Sequence, residues 1–276
     1  MTAIPSFTMN NGRTIPALGY GVFLMTSDQV REHLPQALKL GYRHIDTANV
    51  YFNEVAVGEV VRDAIAAGEL AREDLFITTK LFPQSYPYAQ AVEDIDATLA
   101  RLGLDYVDLL LFHQPYGEYV SGWKAMEEAV AAGRVRSIGL SNFPIAKFQE
   151  ILDVAEIIPA VHQVEAHPRW NQHELKARMS EATGTEVLVE AWYPLGHGDK
   201  TLLEEPAIAA AAQRTGATPA QVILAWHLAE RNITFPKTLS PAHMADNLAA
   251  LDVELTAAEI ATINGIPQQP YYRIPD

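Results

Sequence analysis

Short apolar, β-branched runs recur along this 276-residue chain, and each precedes a longer stretch with apolar residues three or four apart. The runs fall at 17–22, 43–47, 75–80, 107–113, 137–141, 160–165, 187–192 and 233–237. Between and after them, the longer period predicts helices over 27–40, 54–67, 88–102, 119–132, 144–155, 171–182, 218–231 and 240–251. Ser240 reads as the N-cap of the last, with Pro241 at its first helical position. Near-continuous apolar strands alternating with helices predict a parallel sheet covered on both faces. Eight such units predict an α/β fold, a closed (β/α)8 TIM barrel, with an open doubly wound sheet as the alternative architecture. Ahead of them, 7–15 reads as a β-hairpin turning at Asn11-Gly12, where both positions tolerate positive φ. No linker or low-complexity tract divides the chain, so residues 1–276 read as one domain. The short proline-rich tail, 267–276, reads as a flap over the site, with a merely surface-bound end as the alternative.

A barrel of this kind builds its site at the C-terminal ends of its strands, so the polar residues found there are candidates for chemistry. Strand 2 ends in Asp46, strand 3 in Lys80, strand 4 in His113 and strand 5 in Ser141-Asn142. Strand 6 carries Gln163, Glu165 and His167, strand 7 ends in Trp192, and strand 8 in Lys237. Each has a plainer reading alone: Asp46 as a helix cap, Lys80 as a solvated side chain, His113 as a loop histidine, Tyr51 as an amphipathic wall residue. Titratable groups at three consecutive strand ends are harder to explain by packing, because unpaired charge is expensive to bury. Together the four suit proton donation. Tyrosine, with a pKa of about 10, is a poor acid at neutral pH, and a neighbouring ammonium lowers that value. Asp46 would keep Lys80 charged, and His113 would position a substrate oxygen. Such a group can protonate an alkoxide as it develops.

Composition narrows the partners. The net charge of −14, from 20 basic and 34 acidic residues, argues against nucleic acid. It also means that an anionic ligand must meet locally placed positive charge. With no cysteine there is no disulfide framework and no thiolate metal site, which fits a reducing cytoplasm. The first ten residues lack the basic start and apolar stretch of a secretion signal. No window reaches the ~18 uninterrupted apolar residues of a membrane span. Gly19-Tyr-Gly21 lacks the third glycine of the dinucleotide fingerprint, so any nucleotide must be held by the barrel itself.

Six segments in order, 41–58, 75–80, 105–113, 139–143, 161–165 and 236–238, resemble signatures of the aldo-keto reductase superfamily. The first places Asp46 and Tyr51, the second Lys80 and the third His113. Segments 18–23 and 194–196 are similar to the bacterial branch typified by 2,5-diketo-D-gluconic acid reductases. The resemblance implies a metal-free, NADPH-dependent reduction of small carbonyls, dicarbonyls or keto sugars by a monomer, with Tyr51 donating the proton. By the same carry-over, Ser141, Asn142 and Gln163 hold the nicotinamide carboxamide and Trp192 stacks on its ring, with Gly21, Val22, Pro194 and Leu195 beside it. Lys237, Thr238, His243, Asp246 and Asn247 match the positions that hold the 2′-phosphate and adenine. Phe23, Tyr51, Phe82, His113, Gln114 and Tyr271 supply the substrate wall, with Trp192 and Tyr272 adding to its apolar surface.

Two positions depart from the family pattern. His243 stands where arginine is usual, and Leu239 where an aromatic is frequent. A histidine is mostly neutral above its pKa of about 6.5, so NADH is expected to be used as well. Gln114 stands where tryptophan often follows the histidine, which makes that wall smaller and more polar. Two other functions compete with reduction. A metal-dependent hydrolase would draw on His44, Asp46, His113, His162 and His167, but leaves Lys80 and Tyr51 unexplained. A cofactor-sensing regulatory subunit would not require the intact tetrad.

Overall fold

Helix boundaries follow local chemistry. In α1 (Ser27–Leu40) the Thr26 hydroxyl accepts from the Gln29 amide while the Gln29 side chain accepts from Thr26, and Gly41 ends the helix at φ 109°. Residues 3–272 are described by the computed structural model. Two strands, β1 (Ser6–Thr8) and β2 (Thr14–Pro16), pair antiparallel as the N-terminal hairpin. Only Gly12 is left-handed at its turn, at φ 80°, while Asn11 is not. The Gly12 amide donates to Met9 O and the Met9 amide to Arg13 O, the pattern of a three-residue loop with one left-handed glycine.

The chain then alternates: β3 (Tyr20–Gly21), α1, β4 (His44–Asp46), α2 (Glu54–Ala66), β5 (Phe76–Leu81), α3 (Tyr88–Leu102), β6 (Leu109–Phe112) and α4 (Tyr119–Ala131). It continues through β7 (Ile138–Ser141), α5 (Ile145–Leu152), β8 (Val161–Glu165), α6 (His173–Thr183) and β9 (Leu188–Trp192). After α7 (Lys200–Leu203), α8 (Pro206–Thr215) and α9 (Pro219–Ala229) come β10 (Ile233–Thr234), α10 (Pro241–Ala249) and α11 (Ala257–Asn264). Strands β3 to β10 pair in sequence order, all parallel. The seam closes where the Gly19 amide donates to Thr234 O and the Thr234 amide to Ala17 O. The fold is thus a (β/α)8 barrel. Gly21 serves the seam as well, because a Cβ there would stand 2.6 Å from the Phe235 carbonyl oxygen.

All eight predicted strands form, the first and last shortened because Pro236 has no N–H to extend β10. Helices α7, α8 and α11 were not expected. They pack outside the ring in their own core around Leu202, Ile208, Trp226 and Ile263. Their signals were present: Pro206 and Gly216 bracket α8, and Thr256 and Glu259 form a capping box at α11. A one-helix-per-strand template left them no place.

Two cores divide the barrel. Outward-facing strand residues such as Ile45, Ile77, Leu110 and Leu140 pack under the helices. Inward-facing Phe76, Leu109, Leu111, Val161, Leu188 and Ile233 fill the lower lumen, which Met9 and Ile15 of the hairpin close from below. Asn10 and Asn11 tie the hairpin to Pro159 O and Ser137 Oγ. Among the described residues no helix is long and apolar enough to cross a membrane.

Candidate active site

At the upper end of the lumen Lys80 is fully buried, and its surroundings account for that. Its Nζ lies 2.8 Å from both Asp46 carboxylate oxygens, 2.9 Å from Thr47 O and 3.3 Å from the Tyr51 hydroxyl. An ammonium only donates, so the Tyr51 oxygen accepts here and its own hydrogen is free to point elsewhere. Burial alone would drive the proton off Lys80, but Asp46 and Tyr51 outweigh it and hold the pKa above its ordinary value. Asp46 also accepts from Gln163 Nε2 at 2.9 Å, a contact from β4 to β8 that crosses the lumen.

Tyr51 does not sit on a strand. It ends a short 3-10 turn, Asn49–Tyr51, after which Phe52 is left-handed at φ 56°. The loop is held by Asn53, which accepts from the Thr47 hydroxyl and donates to Val22 O and Met25 O. Burial raises the Tyr51 pKa, and Lys80 pulls it back only in part. A neighbouring ammonium alone predicts a net fall. Desolvation reverses it, because a phenolate loses more solvation than a phenol. The phenol therefore holds its proton at rest. His113 follows β6, and its ring meets those of Tyr51 at 5.7 Å and Phe82 at 5.6 Å. Burial first, then Lys80, lowers its pKa to about 3, so its imidazole is neutral. Its Nδ1 has no partner among the described residues.

Tyr51 and His113 open onto a cavity of about 580 Å³. Gly21, Phe23, Asp46, Gln114, Ser141, Asn142, Gln163, Trp192, Pro194, Leu195 and Lys237, all singled out from the sequence, line it. Ser141 Oγ is buried there without a partner among the described residues. Asn142 is already engaged, accepting from Trp192 Nε1 at 2.8 Å and donating to His113 O. Leu24, Tyr193, His197 and Phe235 also line the cavity, although neither strand ends nor motifs single them out.

Other expected residues lie elsewhere. Val22 is buried outside the lining, its amide donating to Asp46 O. Phe82 backs His113 rather than facing the cavity. Thr238 and the exposed His243 and Asp246 lie along α10 and the segment before it, beyond the cavity, and Asn247 is buried. Tyr271 is displaced from its expected place on the substrate wall. Its hydroxyl donates to Asp199 Oδ2 at 2.6 Å and its ring packs on His167 at 4.7 Å. Tyr272, pointing the other way, lines the cavity instead. Both backbone amides are held by the Glu165 carboxylate, at 2.6 and 3.0 Å, which His167 Nε2 also meets at 2.9 Å. Of the expected flap, residues 273–276 lie outside the described residues.

The histidines do not gather around Asp46. His162 is bound by the Phe143 amide, and His167 by Glu165. His44 sits one layer down, beside Glu190. Glu190, Thr47 and Asn53 were missed from the sequence. Glu190 was within reach, because it lies two residues before Trp192 and so shares its face of β9.

Comparison with known proteins agrees with the geometry. The aldo/keto reductase family model matches residues 17–267. An aldo-keto reductase of Mycobacterium sp. (strain MCS) is 39% identical over 98% of this chain and 93% of its own. The morphine 6-dehydrogenase of Pseudomonas putida is 38% identical over 94% of this chain and 90% of its own. Among solved structures, an aldo/keto reductase from Brucella melitensis superposes with a TM-score of 0.87 at 37% identity, covering 95% of this chain and 99% of its own. A Bombyx mori aldo-keto reductase in complex with NADP gives 0.89 at 31%, covering 100% and 96%. A barrel whose upper lumen joins Asp46, Lys80, Tyr51 and His113, matched over nearly its whole length, belongs to the aldo/keto reductase family.

Proposed function

We propose that this chain is an NAD(P)H-dependent reductase of small aldehydes and ketones, dicarbonyls and keto sugars among them. The observation that carries this reading is the Lys80–Tyr51 contact. With Lys80 donating to the phenol oxygen, the phenol hydrogen is free to serve a carbonyl oxygen in the cavity. Neutral His113 beside it can donate a second hydrogen bond to the same oxygen. The pair places donors where negative charge grows during reduction. Lys80, kept charged by Asp46, then offsets the charge left on Tyr51 once its proton has gone.

The residues present fit a nicotinamide cofactor. The unpartnered Ser141 hydroxyl and the Gln163 amide face the cavity with groups suited to a carboxamide, beside Asn142. Trp192 offers a ring for stacking, with Gly21, Pro194 and Leu195 around it. Lys237, Thr238 and His243 surround the N-terminus of α10, whose positive dipole end suits a phosphate even though Ser240 already caps the His243 amide. Asp246 and Asn247 lie further along that helix. When bound, the cofactor supplies hydride. The Bombyx mori relative was solved with NADP. With a histidine rather than a forked guanidinium at position 243, NADPH is preferred but NADH is used.

The working form we propose is a monomeric, single-domain enzyme of the cytoplasm, in keeping with a cysteine-free sequence. Incubating the protein with NADPH and an α-dicarbonyl or aromatic aldehyde should consume cofactor with multiple turnovers. No turnover with any carbonyl would overturn the reading in favour of a regulatory role. Comparing kcat/KM for NADPH and NADH at about pH 6 and pH 8 tests the role of His243. A preference for NADPH above about a thousandfold at both values, roughly 4 kcal/mol, would show that the phosphate is held without it.

A further inference from the structure

Beneath Asp46 and Lys80 the lumen holds a second layer of buried titratable groups that proton delivery does not use. Glu190 on β9 and His44 on β4 approach to 3.6 Å, and neither side chain is exposed. His44 Nε2 also lies 2.9 Å from Thr78 Oγ1, and its Nδ1 3.3 Å from Pro16 O. Glu190 Oε1 has no hydrogen-bond partner among the described residues. A carboxylate in such a place costs stability, so its one good contact is informative.

That contact is with Gln163. Gln163 Nε2 donates to Glu190 Oε2 at 2.9 Å and to Asp46 Oδ2 at 2.9 Å. A side-chain amide nitrogen carries two hydrogens, and a carboxylate only accepts. Both hydrogens are thus committed, one to each carboxylate. With Asp46 alone the amide plane could swing about a single bond and turn an N–H toward the cavity. The second anchor fixes the plane. What Gln163 then presents to the cavity is its carbonyl oxygen, an acceptor.

We infer that Glu190 is a positioning residue that pins the Gln163 amide, so that the site accepts a ligand carboxamide and rejects a carboxylate. This rests on the reading of the cavity as a nicotinamide site. A carboxamide meets Gln163 Oε1 with its own N–H, whereas a carboxylate meets it with another acceptor. Burial first, then Asp46, pushes the Glu190 pKa up to about 8, with Gln163 and Lys80 opposing. His44, facing it from β4, is neutral, its pKa lowered to about 3 by burial. Ionisation strengthens Glu190 as an acceptor, so the pin tightens as the pH rises through that value.

The test compares binding of NADP+ with that of its analogue carrying a carboxylate in place of the carboxamide, by titration calorimetry on the intact protein. Wild type should favour NADP+, and more so at about pH 9 than at pH 7. Glu190→Leu should shrink that discrimination by roughly fivefold to tenfold, the worth of one buried hydrogen bond. Glu190→Gln keeps an acceptor for Gln163, so it should retain the discrimination but lose its rise with pH. Wild-type discrimination in a folded Glu190→Leu protein overturns the inference. So does a pH dependence in Glu190→Gln equal to that of wild type, which decides the matter even if the leucine variant does not fold. Failure of wild type to bind NADP+ at all would instead reject the nicotinamide reading.

Discussion

The two ends of the barrel lumen are built from the same strands in the same inward-facing register, yet they do opposite things. On β5 the inward residues run Phe76, Thr78, Lys80, and on β6 Leu109, Leu111, then His113 just beyond the strand. On β9 they run Leu188, Glu190, Trp192. The lower end is apolar, capped by the hairpin, and carries no chemistry. The upper end places an ion pair, a phenol and an imidazole where packing alone would put leucines. Burying the ion pair and the phenol is tolerable because each has a partner, burying the imidazole because it is neutral, and the filled lower lumen makes the site rigid. The polar end is costly and is where the proposed chemistry would take place; the apolar end supplies the stability that offsets it.

The sharpest way to separate the two ends is Tyr51→Phe, which removes one hydroxyl and little packing. It should lower kcat by roughly 10²–10⁴ while moving stability by no more than about 0.5 kcal/mol. A variant retaining most of its turnover would remove Tyr51 as the proton source. Leu109→Ala at the lower end should do the reverse. Leu109 is fully buried, and its truncation should cost about 2–5 kcal/mol in urea unfolding. Its kcat/KM should stay within about threefold of wild type if the ends are independent.

Acid should expose the same division. His44, His113, His162 and His227 are each buried with the pKa lowered to about 3. Unfolded histidines take up protons near pH 6.5, which the folded protein refuses, so the stabilisation is present above that value. It is lost as the pH falls toward 3, at up to about 1.4 kcal/mol per pH unit for each histidine. Glu190, raised to about 8, works the other way. Its contribution is present below its unfolded value of about 4.5 and disappears as the pH rises through 8. Urea midpoints should therefore peak between about pH 6 and 7 and drop clearly by pH 5. A flat profile over that range would mean that these histidines are not buried neutral. The smallest effect is expected at the rim. Glu165→Gln weakens the carboxylate that holds the Tyr271 and Tyr272 amides, and should raise substrate KM by roughly threefold to tenfold with kcat nearly unchanged. Unaltered KM would show that Tyr272 is not a substrate wall.

Much of this protein is legible in its sequence, for reasons that are local. Strands and helices follow from period, caps and turns, and Asp46, Lys80 and His113 stand out because a barrel aims its strand ends at one place. Four things depended on the tertiary structure. The direction of the Tyr51 shift required knowing how much solvent the closed lumen removes, against one ammonium at 3.3 Å. Tyr272 rather than Tyr271 faces the cavity because Glu165, 106 positions from Tyr271, holds the tail in one register. Helices α7, α8 and α11 carried readable caps, but their place outside the ring depends on a side core that no local pattern announces. The Asp46–Gln163–Glu190 chain joins β4, β8 and β9 across a lumen. Period and spacing put each residue on the right face of its strand, but which of them meet depends on the barrel closing.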